Sequence, residues 1–132
     1  MREFFQHAAI THDITVRVVA SFLLEQSRPE AGKWFWAYHI RIENGSHERV
    51  QLMTRHWRIT DGRGLVSLVD GDGVVGEQPV LEPGDTHDYV SGCPLPTPHG
   101  SMEGHYTFHR EDGSLIEVAI PHFPLAAPAT AR

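Results

Sequence analysis

The sequence predicts an all-β fold, a two-layer sandwich of about seven strands. Two observations carry that prediction. Apolar side chains recur at every second position through most of the chain, the period of a strand with one buried face. Twelve glycines and nine prolines cut the chain into short runs with turn chemistry between them, and no segment of useful length keeps a helical period.

The elements follow in order. Ile14, Val16, Val18, Ala20 and Phe22 give one face of a first strand. Trp34, Trp36, Tyr38, Ile40 and Ile42 alternate with Phe35, Ala37, His39, Arg41 and Glu43, so the first set forms one continuous apolar face and should supply the core. Asn44-Gly45-Ser46 ends that strand. Residues 50–60 form the next, but the apolar phase moves from Val50 and Leu52 to Met53, Trp57 and Ile59, which predicts a bulge or a change of sheet. Asp61-Gly62-Arg63-Gly64 is a tight turn, and residues 65–69 leave it as a hairpin partner. Pro83-Gly84-Asp85 feeds a strand over 86–91. Met102, Gly104, Tyr106 and Phe108 share one face of a later strand. Glu111-Asp112-Gly113-Ser114 closes the last hairpin, and Ile116, Val118 and Ile120 point inward beyond it. Short strands separated by turns in this way fit an immunoglobulin-like sandwich.

One domain spanning residues 1–132, with a core over about 10–125, accounts for the whole chain. At that length a chain buries roughly two thirds of its unfolded surface, so it needs no metal or disulfide to fold. The residues after Leu125 read as a frayed end. The single cysteine, Cys93, excludes an internal disulfide and suits a reduced, cytoplasmic setting. The first residues lack the apolar core of a secretion signal, and no apolar run approaches the ~20 residues of a membrane helix. A net charge of −6 disfavours nucleic acid as a partner.

Several motifs are more specific than this pattern. Gly71-Asp72-Gly73-Val74-Val75-Gly76-Glu77-Gln78-Pro79-Val80-Leu81-Glu82-Pro83-Gly84, Ser91-Gly92-Cys93-Pro94-Leu95, the run from Thr97 to Tyr106, and Ile120-Pro121-His122-Phe123-Pro124-Leu125 occur in this order. Together with Arg55-His56-Trp57 they resemble the ApaG family over roughly residues 10–125. The resemblance implies a fibronectin type III-like sandwich in a bacterial protein and an association with cobalt and magnesium tolerance or efflux. It implies no reaction. Related domains end some eukaryotic F-box proteins, where partner binding is the expected task.

The residues offer three kinds of site. Gly71, Gly73 and Gly76 fit GxGxxG, but Pro79 and Pro83 stop the helix that a dinucleotide fold requires. What survives is an anion nest for phosphate, pyrophosphate or a nucleotide, set against a glycine loop that merely needs positive φ. Arg55, His56 and Trp57 form a candidate partner-binding patch, the alternative being that Trp57 packs in the core. His105 and His109, with Glu103, share a strand face, but positions four apart on a strand lie about 13 Å apart, too far for one ion. His87 and His122 show no spacing that brings them in, so no metal ligands are assigned. Cys93 reads as a small buried apolar residue, since no neighbouring base is evident.

No catalytic constellation and no cofactor motif emerge. The sequence therefore reads as a non-enzymatic domain that binds a protein partner, by strand addition at a sheet edge or through its loops. A phosphate-containing ligand is the alternative, and the same edges suit either a monomer or a homodimer. The ten histidines add a solution property: charging them would carry the net charge of −6 through zero. Solubility should pass through a minimum near pH ~5.5–6, where charge repulsion vanishes. A turbidity scan with no maximum in that range would refute this.

Overall fold

The alternation along the chain becomes two facing layers in the computed structural model, which describes residues 4–132. The strands are β1 (His7–Thr11), β2 (Ile14–Phe22), β3 (Trp34–Asn44), β4 (Val50–Asp61), β5 (Val66–Asp72), β6 (Val80–Leu81), β7 (Thr86–Leu95), β8 (His99–Arg110) and β9 (Leu115–Ala126). One antiparallel sheet has the order β1-β2-β3-β7; the other has β5-β4-β8-β9, with β6 on the far end of β4. Three short 3-10 turns are the only helical elements among the described residues.

Nine strands replace the seven expected. The additional two are β1 and β6, whose signals are weak for physical reasons. The β1–β2 hairpin turns on His12 and Asp13, both at positive φ (52° and 63°), with Thr11 paired to Ile14. A two-residue loop of this kind usually announces itself with glycine, and here it has none. β6 is only two residues long, too short for a period to register.

The core forms where the inner faces meet. Alternate residues of β3 from Trp34 to Asn44 are buried, as are Ile14, Val16 and Val18 of β2. Opposite them lie Leu52, Trp57, Met102, Tyr106, Phe108, Val118 and Phe123. Burying each large side chain is worth up to about 3 kcal/mol gross. Asn44 is the main polar intruder and is fully engaged. Its Nδ2 donates to the carbonyls of Glu48 and Leu81 at 2.9 Å, and its Oδ1 accepts from Ser46.

The two long sides of the sandwich differ. On one, β1 and β9 come together, with the Ala119 N–H donating to Thr11 Oγ1 at 3.1 Å. The residues after Leu125 do not fray but close one end. Ala127 and Ala131 are buried, and Trp34 Nε1 donates to the Ala131 carbonyl at 2.6 Å. On the other side the edge strands β5 and β7 pair with nothing further among the described residues.

Gly104 shows how close two strands approach in the second sheet. A Cβ there would stand 1.9 Å from the carbonyl oxygen of His56 on the neighbouring strand β4. Gly104→Ala should therefore lower stability by about 3 kcal/mol, the upper end of an overpacking cost. Urea unfolding measures it, and a midpoint within error of the parent would contradict the packing described.

Candidate functional site

The site begins with one extra residue in β4. Its pairing with β8 runs Leu52 to Phe108 and then Thr54 to Thr107, so Met53 is a bulge. Val50 and Leu52 face inward before it, whereas Arg55, Trp57, Ile59 and Asp61 face inward after it. This is the phase shift visible in the sequence. Its consequence is that an arginine, not a threonine or histidine, points between the sheets. The bulged Met53 carbonyl is also released from the ladder, and it accepts from Gly73 N–H at 2.8 Å and Gln78 Nε2 at 2.9 Å.

Arg55 stands at one end of a cleft of about 440 Å³ on the open side of the sandwich. Trp57, Ile59 and Tyr38 form its floor, and Val69 and Ser67 of β5 form one wall. The opposite wall is the segment from Ser91 to Pro96 of β7 and the loop beyond it. Asp61 lies at the far end, roughly 20 Å along β4 from Arg55. Its Oδ1 is occupied by the N–H groups of Arg63 and Leu65.

The glycine run and Arg55 prove to be one structure. Gly71 pairs with Arg55 across β4 and β5, and the guanidinium rests on it: a Cβ on Gly71 would lie 2.7 Å from Nη2 and 2.8 Å from Cζ and Nη1. Nη1 donates to the carbonyls of Asp72 at 2.8 Å and Gly73 at 3.0 Å. The run itself is a strand end and a tight turn. Val74 and Glu77 exchange both backbone hydrogen bonds around Val75 and Gly76, which have φ of 46° and 77°. The N–H groups of Gly73, Val74 and Glu77 are thereby engaged within the protein. Gly73 needs its positive φ and has no room for a side chain, since a Cβ would meet the Glu77 carbonyl oxygen at 2.2 Å. Gly76 has open space around it.

The expected patch at residues 55–57 is divided by strand alternation. Arg55 and Trp57 share the cleft, Trp57 being 3% exposed with its ring against Tyr38 and Phe123. His56 lies on the opposite face of the sheet. There its Nδ1 is 2.6 Å from Asp70 Oδ1, and its ring stacks on His105 with centroids 4.9 Å apart. His105 Nε2 is 3.6 Å from Glu117 Oε1. His87 lies on the inner face of β7 with Nε2 buried, 3.8 Å from Glu77 Oε2. Among the described residues no three His, Cys, Asp or Glu side chains are grouped to hold a metal ion. Cys93 is buried against the cleft, and burial pushes its thiol up to about 11, which suppresses the thiolate at neutral pH.

Comparisons with known proteins agree with one another. The sequence model of the ApaG domain matches residues 24–110. Protein ApaG of Sinorhizobium fredii is 52% identical over 126 residues, covering 96% of this chain and 97% of that protein. Protein ApaG of Caulobacter vibrioides is 49% identical over 95% of this chain and 89% of its own length. The crystal structure of the putative ApaA protein from Bordetella pertussis superimposes with a TM-score of 0.86 at 47% identity, over 91% of this chain and 98% of that one.

Behind Arg55 lies a group of phenols that periodicity does not reveal, because Tyr89 comes from β7 and Tyr106 from β8. Their hydroxyls share a short hydrogen bond. Burial raises all three tyrosines of the chain, Tyr38, Tyr89 and above all Tyr106, where a charged Tyr89 would add repulsion. The Arg55 cation acts against the shift on each. A phenol whose native pKa is raised contributes full stability below its unfolded value of about 10 and loses it as pH climbs toward the native value. Absorbance at the tyrosinate band should therefore stay flat through pH ~10 and then rise together with unfolding. Free-tyrosine titration in the native protein would contradict the buried cluster.

Proposed function

The chain belongs to the ApaG domain family, and from that premise we propose that it is a binding module without catalytic activity, holding an extended segment of a protein partner in the cleft between β5 and β7. The observation that carries this reading is the coincidence of two sheet edges, unpaired among the described residues, with an apolar cleft between them. An unpaired edge offers a row of backbone donors and acceptors to an incoming strand, and the cleft offers room for alternate side chains. Val66, Leu68 and Val69 of β5 are 39%, 63% and 40% exposed, and Val90 of β7 is 60% exposed. That is a large apolar share for edge strands, which are ordinarily protected by charge.

The chemistry of the cleft supports binding over turnover. Its thiol is held protonated, its phenols are buried, and its one inward carboxylate, Asp61, is committed to backbone N–H groups. Neither the thiol nor the phenols are poised to move a proton at neutral pH. The second reading, a phosphate or pyrophosphate at the glycine run, draws support from the Arg55 guanidinium seated on Gly71.

Val69→Lys places a long cation in the mouth of the cleft on a half-exposed strand, so the fold should tolerate it. Partners captured by the parent chain under crosslinking should fall by at least about tenfold in this variant, the loss expected when an apolar contact is replaced by a charge. Unchanged capture with an unchanged unfolding midpoint would place the binding surface elsewhere. Loss of capture to added pyrophosphate alone would favour the second reading.

A further inference from the structure

The cleft contains a cation with unused hydrogen-bonding capacity. Arg55 spends Nη1 on two backbone carbonyls, while Nε and Nη2 form no hydrogen bond among the described residues. No carboxylate lies within ion-pair distance of it among those residues, although Arg17, Arg41, His39, His56, His87 and His105 do have such partners. The nearby acids are turned away by strand alternation. Asp70 and Asp72 flank Gly71 and face the other side of the sheet, where Asp70 meets His56. We infer that Arg55 is the anchor for a carboxylate carried by the bound segment, with its Nε–Nη2 edge donating to both carboxylate oxygens and uncharged apolar side chains of the same segment filling the cleft toward Trp57, Ile59 and Val69. This rests on the strand-addition reading given above.

The geometry favours a carboxylate over a phosphate. A phosphate group carries about −1.5 to −2 charges at neutral pH, and a lone guanidinium over an apolar floor neutralises only one. A carboxylate matches one guanidinium edge in both charge and shape. The net charge of −6 sets a further limit. At a Debye length of ~8 Å the repulsion of a heavily acidic partner is felt before contact, whereas the Arg55 pair acts at contact. The segment therefore carries one acidic residue among uncharged neighbours, and not an acidic run.

The anchor depends on Gly71. Any side chain there takes the space of the guanidinium, so Gly71→Ala should lift Arg55 off its two carbonyls and misdirect the free edge.

The test uses two probe pairs against the isotope-labelled full chain: acetyl-Val-Glu-Val-Thr-Val-amide with its Gln counterpart, and 4-phenylbutyrate with 4-phenylbutyramide. The acid of each pair should bind about tenfold more tightly than the amide, as expected for a charge-assisted hydrogen bond in a shielded site. The Arg55 Nε–Hε signal should shift with the acids alone. Arg55→Gln and Gly71→Ala should each bring the acid-to-amide ratio close to one, with Gln and Glu peptides still perturbing the β5 and β7 amides. Equal binding of acid and amide by the parent chain would overturn the anchor while leaving strand addition intact. A preference for 4-phenylbutyrate without any peptide perturbing β5 or β7 would uphold the anchor and defeat strand addition. Failure of all four probes to shift the Arg55 signal at millimolar concentration would overturn the anchor.

Discussion

The bulge at Met53 is the constraint on which the rest of the site depends. Strand alternation is rigid: without an extra residue, β4 would continue inward at even positions and place Thr54, His56 and Arg58 against the core. An interior with His56 and Arg58 in place of Trp57 would lose the aromatic contacts to Tyr38 and Phe123. The inserted residue lets the first half of β4 bury Val50 and Leu52 and the second half bury Trp57. It also frees the Met53 carbonyl, which ties down Gly73 and Gln78. One backbone irregularity thus sets the core, orients Arg55, and secures the turn whose carbonyls hold Arg55 in place.

The sandwich spends its closing interactions on one side. There β1 and β9 meet, and at one end the C-terminal residues cover Trp34 and Trp36, whose indole N–H groups donate to Ala131 and Ala126 carbonyls. Two buried indoles that would otherwise lack acceptors are satisfied by that tail. The side bounded by β5 and β7 has no comparable cover among the described residues. β7 carries Pro94, which lacks an N–H and is tolerated only because the strand is an edge. Openness there is what leaves Arg55, Val69 and the Ser91–Pro96 wall accessible together.

Much of this was legible in the sequence, and the limits have physical causes. The faces of β2, β3, β8 and β9 are visible in the alternation because one face of each is dry. The irregularity at Met53 is visible because the apolar phase moves between Leu52 and Trp57, which a bulge or a change of sheet would explain equally. Arg55 and Gly71 each carry a signal in the sequence, but in two separate motifs. Their contact is a cross-strand pairing over sixteen positions, and register between strands is not written in either strand alone. Grouping Arg55, His56 and Trp57 overlooked that neighbours on a strand face opposite ways. The tail after Leu125 looked free because alanines and a proline carry little signal. Its burial is decided by the tryptophans it covers.

An exposed apolar edge is a hazard as well as a site, since it can pair with a copy of itself. Sequence on β5 works against that outcome. Its seven residues carry two acids, Asp70 and Asp72, and no base, and both acids project from the outer face. A second β5 laid alongside would crowd four carboxylates onto one face of the enlarged sheet. The inner face beside β5 has the opposite character: the Arg55 guanidinium supplies positive charge there. Under the proposed strand addition, an incoming strand is therefore sorted by the phase of its charges. An acid that falls inward meets the guanidinium, and an acid that falls outward meets Asp70 and Asp72. Because a shift of one residue exchanges the two faces, the same alternation that builds the core would, under that proposal, fix the register of the added strand.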